Sequence, residues 1–429
     1  MTIRSSLPPD SAPVSAAPDS RPLLSTGQWT VLLAAFFGWL FDGFEIGLFP
    51  VVARPALLDL LVTGSDVDVG PWMAKITACF LAGAAGGGVV FGFLGDRIGR
   101  VGALSLSILT YSLFSGLSYF AQAPWHLAAL RFLGALGMGG EWSLGVALVM
   151  ECWPERWRPA LAGSIGAAAN VGFLLTGLIA KWHHVTRGSW RWMFLLGAVP
   201  ALLVLFIMRF VPESKRWRES VRTGGFQSLC ELFSTNLLKR TVLATIFASV
   251  ALIGTWGSVQ WLPLWVDQLV GSKHPSAKAD TQMVQAIGAI AGCLMIPILA
   301  ARLGRRLTYF LLCLFSLLFT AVMFRGISNY GGLFLVTAFF VSTATASFYG
   351  WFPLYFPELF PTWVRATGQG FCYNFGRVLA AGGALLQGSL VAAFDGSYAR
   401  AGAVVTLVYV AGMLLIWCAP ETAGKPLPD

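Results

Sequence analysis

The stretch Gly92-Phe-Leu-Gly95-Asp96-Arg97-Ile-Gly99-Arg100 decides how this chain is read, because a degenerate copy returns 205 residues later as Ala300-Ala301-Arg302-Leu-Gly304-Arg305-Arg306. Two further pairs keep nearly the same register. Glu151-x2-Pro154-x3-Arg158 returns as Glu358-x2-Pro361-x3-Arg365, an offset of 207, and Pro212-Glu213-Ser214 returns as Pro420-Glu421-Thr422, an offset of 208. Each string is charged and directly follows an apolar run. Any one match could be chance, but three in register mean a duplicated unit in parallel orientation. A carrier built from such repeats places its substrate site between the halves, near mid-membrane.

Outward from these strings, apolar runs of about 20 residues, the length a helix needs to cross the hydrocarbon, fall near 28–52, 72–94, 101–121, 125–150, 160–180 and 190–211. Six more lie near 240–265, 281–301, 307–324, 331–356, 366–393 and 399–418. The expected fold is therefore an all-α membrane protein of twelve helices in two six-helix halves. The expected organisation is a disordered tail over 1–26, a first half over 27–211, a basic linker over 212–239, a second half over 240–419 and a tail over 420–429. The first tail is rich in Pro, Ser and Ala and lacks the apolar core of a signal peptide.

Composition agrees. Of 429 residues 56% are hydrophobic and only 11% charged, about half the charged share of a soluble domain. The bilayer must be the solvent, so the expected location is the inner or plasma membrane. The net charge of +9 does not indicate nucleic acid, because the 29 Lys and Arg are scattered through short loops. Nine of them (Arg54, Lys75, Lys181, Arg187, Arg191, Lys273, Lys278, Arg325 and Arg400) fall on one face, and Arg131 and Arg377 lie within spans, which leaves eighteen for the face of the termini and the linker. Basic loops stay inside, so both termini are expected in the cytoplasm. The seven cysteines are single and mostly within apolar runs, without disulfide or metal spacing. No cofactor is expected.

These strings are similar to the major facilitator superfamily over residues 27–425. Gly92–Arg100 resembles that superfamily's motif in the loop between its second and third helices. Pro212–Trp217 and Pro420–Lys425 resemble its sugar-porter-like branch. Asp42-Gly43-Phe44-Glu45 is similar to the Asp-Gly-x-Asp motif of aromatic-acid/proton symporters, and Arg131–Trp142 resembles metabolite/proton and sialate/proton symporters. The resemblance implies proton-driven uptake of small organic anions by a monomer. It also implies a cytoplasmic gate formed by Asp96, Arg97, Arg100, Glu151 and Arg158 in the first half. Ala301 stands where the repeat should carry the aspartate, so the second-half gate is expected to be weaker and to rest on Glu358 with Arg302, Arg305 and Arg365. Topological roles for the same charges stay open.

Ionisable groups within spans are costly and usually functional. Asp42 and Glu45 stand three apart on one helix face, and Arg131 and Glu141 share the fourth span. At ~1.5 Å rise per residue, Asp42 lies about 21 Å, Glu45 about 26 Å, Glu141 about 17 Å and Arg131 about 32 Å from the cytoplasmic end. Three acids facing one arginine leave an excess of negative charge that a bound proton relieves. Asp42 and Glu45 are read as the coupling pair and Arg131 as their counter-charge. Glu141 is read as a relay or a structural group, and a static pair docking the two helices stays open.

The second half lacks these acids. Its mid-span charge is Arg377, in a polar and aromatic setting that includes Tyr373, Asn374, Tyr349, Trp256 and Gln260, with Asn170 opposite in the fifth span. An arginine in such a cavity suits a carboxylate, so these residues form the expected substrate site. Pairing of Arg377 with an acid near the cytoplasmic end, or its snorkelling, are the alternatives. The runs Gly83–Gly88, Gly134/Gly137/Gly140 and Gly382-Gly383 are read as packing surfaces. A sugar or inorganic phosphate carrier remains the runner-up, with a non-transporting sensor behind it. No nucleophile–base or metal cluster suggests an enzyme.

Overall fold

The computed structural model describes residues 25–61, 69–183, 185–214, 217–218, 229–270, 273–274, 276–361, 364–425 and 427–428. The expected tail 1–26 thus lies almost wholly outside the described residues, as does much of the linker. Among the described residues the regular elements are helices. They are α1 (Thr26–Leu60), α2 (Val69–Ile98), α3 (Arg100–Leu117), α4 (Pro124–Cys152), α5 (Arg158–Trp182) and α6 (Arg191–Phe210) in the first half. The second half holds α7 (Leu238–Gly257), α8 (Ala277–Leu303), α9 (Arg305–Gly326), α10 (Gly332–Leu359), α11 (Arg365–Ala393) and α12 (Tyr398–Cys418). Among the described residues eleven of these helices are long and apolar enough to cross a bilayer; α11, with 29 residues, is long enough but less apolar.

Three expected spans are broken rather than continuous. α6 consists of Arg191–Leu196 and Ala201–Phe210, divided around Gly197 and Pro200. α12 divides into Tyr398–Val405 and Val408–Leu415. α7 stops at Gly257, where Ser258 leaves helical backbone (φ −142°, ψ −59°); a tight turn at Val259–Trp261 and a short helix Leu262–Val270 continue the crossing. Irregular backbone at membrane depth is tolerated where it is buried or lines a cavity, and Val259 and Gln260 do line one.

Within the first half α4 packs on α2, α3 and α1, and α1 packs on α5; in the second, α10 packs on α8 and α9, and α7 on α11 and α12. The halves meet along α2/α11 and α5/α8, supported by α4/α11 and α5/α10. Small residues set these approaches. A Cβ on Gly139 of α4 would strike the Ala84 carbonyl of α2, and one on Gly166 of α5 would lie 2.8 Å from the Tyr349 carbonyl of α10. The outer surface is apolar; Leu202, Leu205 and Met208 of α6 are each about 70% exposed, as lipid-facing side chains are (67%, 69% and 72%).

The charged repeat strings lie at one end of both halves, here called the linker face. α2 and α3 are joined through Gly99 alone, and α8 and α9 through Gly304, at φ 100° and 85°, a left-handed backbone that glycine adopts without strain. Glu213 then accepts from the N–H groups of Arg100 and Val101 (both 3.0 Å), capping α3. Glu421 does the same for α9 through Arg305 and Arg306 (2.9 and 3.1 Å). Partial burial pushes the Glu421 carboxyl up, but the N–H groups of Arg305, Arg306, Ala423 and Thr422 outweigh it and hold it below its ordinary value.

Candidate functional site

The four expected ionisable groups of the first half are all buried: Asp42 is 0%, Glu45 3%, Arg131 4% and Glu141 2% exposed. They divide into two tiers. In the first, Arg131 Nη1 donates to Glu45 Oε1 in a close ion pair, and Ser115 Oγ of α3 donates to Oε2 at 2.7 Å. The Arg131 guanidinium lies between the rings of Phe80 and Phe49, at 4.8 and 5.1 Å from their centroids. The bend in α6 makes room here, because a Cβ on Gly197 would meet both Ser115 Oγ and the Glu45 carboxylate.

In the second tier, neither oxygen of Asp42 and neither oxygen of Glu141 has a hydrogen-bond partner among the described residues. The Glu141 carboxylate lies against Gly38, one turn before Asp42, and the two acids are within electrostatic reach of each other. The buried hydroxyl of Tyr111 lies within the same field and is likewise unpartnered among the described residues. Arg377 of α11, across the boundary between the halves, is within electrostatic reach of Asp42.

Arg377 lines a cavity between the halves. Of the expected substrate residues, Asn170, Trp256, Gln260, Tyr349 and Tyr373 share that lining. Asn374 does not. Its Oδ1 accepts from Arg377 Nη1 at 3.0 Å, while its Nδ2 donates to the Gly370 carbonyl of its own helix at 2.8 Å, lies 3.4 Å from the Gly139 carbonyl of α4 and sits where a Cβ of Gly88 on α2 would be. Asn374 thus holds Arg377 and seals α11 against α2 and α4. The Arg377 guanidinium also lies 4.8 Å from the Tyr373 ring, which stacks on Trp142 of α4 at 4.4 Å.

Several lining residues had not been singled out in the sequence. Trp39 and Phe173 extend the aromatic wall, and Gln282 and Gln285 of α8 add two amides. Their spacing of three within an apolar span was a legible signal for one polar helix face. Towards the face opposite the linker, the cavity shares Pro50, Pro263 and Gln282 with a vestibule that also includes Arg54, Arg187 and Lys278.

The expected gate residues form intra-half networks. Arg100 approaches Glu151 at 3.9 Å, and Ser214 donates to Glu151 at 2.5 Å. Arg305 holds Glu358 through two nitrogens at 3.0 and 2.8 Å, and Thr422 donates to Glu358 at 2.6 Å. Arg365 instead donates to the carbonyls of Pro357, Phe360 and Pro428, Arg302 is exposed, and Arg97 lies over Phe93. Asp96 ends α2 and Arg158 begins α5, but their side chains lie outside the described residues. The sequence signals for Glu213 and Glu421 had been read as repeat markers, whereas both act as helix caps.

Known proteins share this architecture. The profile of the Major Facilitator Superfamily matches residues 31–324. An inner membrane metabolite transport protein of Escherichia coli (strain K12) is 30% identical over 426 residues, covering 91% of each chain. A cis,cis-muconate transport protein of Acinetobacter baylyi is 28% identical over 379 residues, covering 85% of this chain and 88% of its own. The solved proton:xylose symporter XylE superposes with a TM-score of 0.77 at 17% identity, covering 94% of this chain and 98% of its own, a likeness of fold. The chain belongs to the Major Facilitator Superfamily and is a multi-pass inner-membrane transporter rather than an enzyme.

Proposed function

We propose that this chain is a proton-coupled symporter that imports a small organic anion, a carboxylate, by alternating access. The observation that carries this reading is Arg377: a buried cation on the wall of an aromatic and amide-lined cavity, with the carboxyl of Asp42, unpartnered among the described residues, within its electrostatic reach. A substrate carboxylate and Asp42 compete for one guanidinium. Anion binding is therefore favoured when Asp42 carries a proton, and loss of that proton returns Arg377 to Asp42 and expels the anion. Glu45 with Arg131 forms the companion pair, and Glu141 with Tyr111 extends the acid cluster towards the linker face as a relay. The linker-face networks at Glu151 and Glu358 brace each half while the contact between halves opens and closes.

The excess of basic residues on the linker face supports a cytoplasmic location for it and both termini, with the vestibule facing outward. The cis,cis-muconate transport protein among the relatives fits an organic acid. The four amides Asn170, Gln260, Gln282 and Gln285 favour a second reading, a neutral sugar carrier. Proteoliposome uptake decides between them. Labelled mono- and dicarboxylates, glucose and phosphate are offered with and without an inward proton gradient. Gradient-driven accumulation of a carboxylate is expected; accumulation of glucose alone, or carboxylate uptake indifferent to the gradient, overturns the proposal.

A further inference from the structure

A second recess adjoins the central cavity and shares Ile46, Pro50, Trp256 and Gln260 with it. Its other walls include Phe80 and Trp261, and its cation is Arg131. Each recess therefore offers one arginine, and each arginine is near a carboxyl of α1: Arg131 pairs with Glu45, and Asp42 lies within electrostatic reach of Arg377. The two acids stand one helical turn apart, so the two arginines are coupled to a single rigid element. Resting on the function proposed above, we propose that the Arg131 recess is a second anion subsite, which takes the distal carboxylate of a dicarboxylate when Glu45 is protonated.

The charge balance is fixed by this arrangement. A monocarboxylate engages Arg377 alone and is accompanied by one proton, on Asp42. A dicarboxylate engages both arginines and is accompanied by two, because Arg131 cannot hold a second carboxylate while Glu45 is ionised against it. No covalent bond changes; the protons enter from the vestibule side and leave with the substrate. Either cargo then crosses with no net charge. The charged and titratable groups around Glu45 are Arg131 from α4, Tyr111 from α3 and Asp42 on its own helix; Ser115 of α3 donates to it, and Gly197 of α6, which lies against it, is uncharged.

The test uses the full chain in proteoliposomes containing a pH-sensitive dye, with matched mono- and dicarboxylates of the same carbon skeleton. Wild-type protein is expected to move one proton per monocarboxylate and two per dicarboxylate, with both uptakes insensitive to an imposed potassium-diffusion potential. Glu45→Gln, which removes the acid that Arg131 must release, is expected to lower the dicarboxylate ratio from two to one. Ser115→Ala, which keeps the ion pair, should leave both ratios unchanged while shifting the pH dependence of dicarboxylate uptake alone. A dicarboxylate that is not transported, or that moves with a single proton in wild type, overturns the second subsite while leaving the monocarboxylate reading intact. Monocarboxylate uptake without protons overturns both. If Glu45→Gln fails to insert, the wild-type ratios still decide.

Discussion

Replacing Gly88 by alanine places a methyl group on the Asn374 carboxamide, at the seam between α2 and α11. Asn374 sits about nine residues into α11, hence ~14 Å from the linker face, between that face and the cavity. To admit the methyl, Asn374 must give up its contact with the Gly139 carbonyl at 3.4 Å and its hold on Arg377 at 3.0 Å. Two hydrogen bonds at about 1 kcal/mol each, with an overpacking strain of about 1–3 kcal/mol, destabilise the arrangement in which this seam is closed by roughly 3–5 kcal/mol. Even the lower value shifts a two-state population by about a hundredfold. Spin labels on cysteines placed at the exposed positions Ile98 and Leu303, in a background cleared of native thiols, report the separation of the halves by pulsed electron resonance. Gly88→Ala should enrich the longer distance, and Gly88→Ala/Asn374→Ala should recover much of the short one, because the smaller side chain leaves room. An unchanged distance distribution in Gly88→Ala would refute the assignment of this seam as the closure beneath the cavity.

Three further outcomes follow from the linker-face chemistry. Glu213→Ala removes the cap on α3 and should lower stability by about 1 kcal/mol, read as a fall in the unfolding midpoint in detergent. Glu421 has a folded-state affinity for protons below its unfolded one, so its contribution is present above the ordinary glutamate value near 4.3 and is lost as pH falls through the lower folded value. The midpoint difference between wild type and Glu421→Gln should therefore be full at pH 7 and shrink below about pH 4; a difference that stays constant across that range contradicts the capping role. Glu358→Ala strands Arg305 beside a partly buried void and should cost about 3 kcal/mol. Glu358→Gln, which keeps the bond from Thr422, should cost less in the same melting assay.

The fold was legible because its signals are long-range and redundant. Span length answers to bilayer thickness, and the three repeat strings mark the same end of each half. The breaks in α6, α7 and α12 were not legible, since each depends on tertiary contacts: Gly197 bends where Ser115 and Glu45 need space, and Ser258 leaves the helix where the cavity is. Buried charge stood out in the sequence, so Asp42, Glu45, Arg131, Glu141 and Arg377 were found. Their pairing was hidden. Depth along one helix could suggest Glu45 near Arg131, but it carries no information about which helix of the other half faces Asp42. Asn374 looked like a ligand group because polarity alone does not distinguish a cavity face from a helix seam. Arg302 and Arg365 shared a motif with Arg305, yet only the bidentate geometry at Glu358 separates a brace from an exposed or carbonyl-bound arginine.

The central claim is that one guanidinium, that of Arg377, is exchanged between Asp42 and the substrate anion. It is tested most directly by calorimetric titration of the purified protein with a transported monocarboxylate, repeated at one pH in buffers of different ionisation enthalpy. The slope of apparent enthalpy against buffer enthalpy counts protons taken up on binding. Wild-type protein should take up close to one proton per anion where Asp42 begins ionised, and Asp42→Asn should bind the anion with none. Equal proton uptake by the two proteins, or anion binding undiminished in Arg377→Gln, would contradict the exchange.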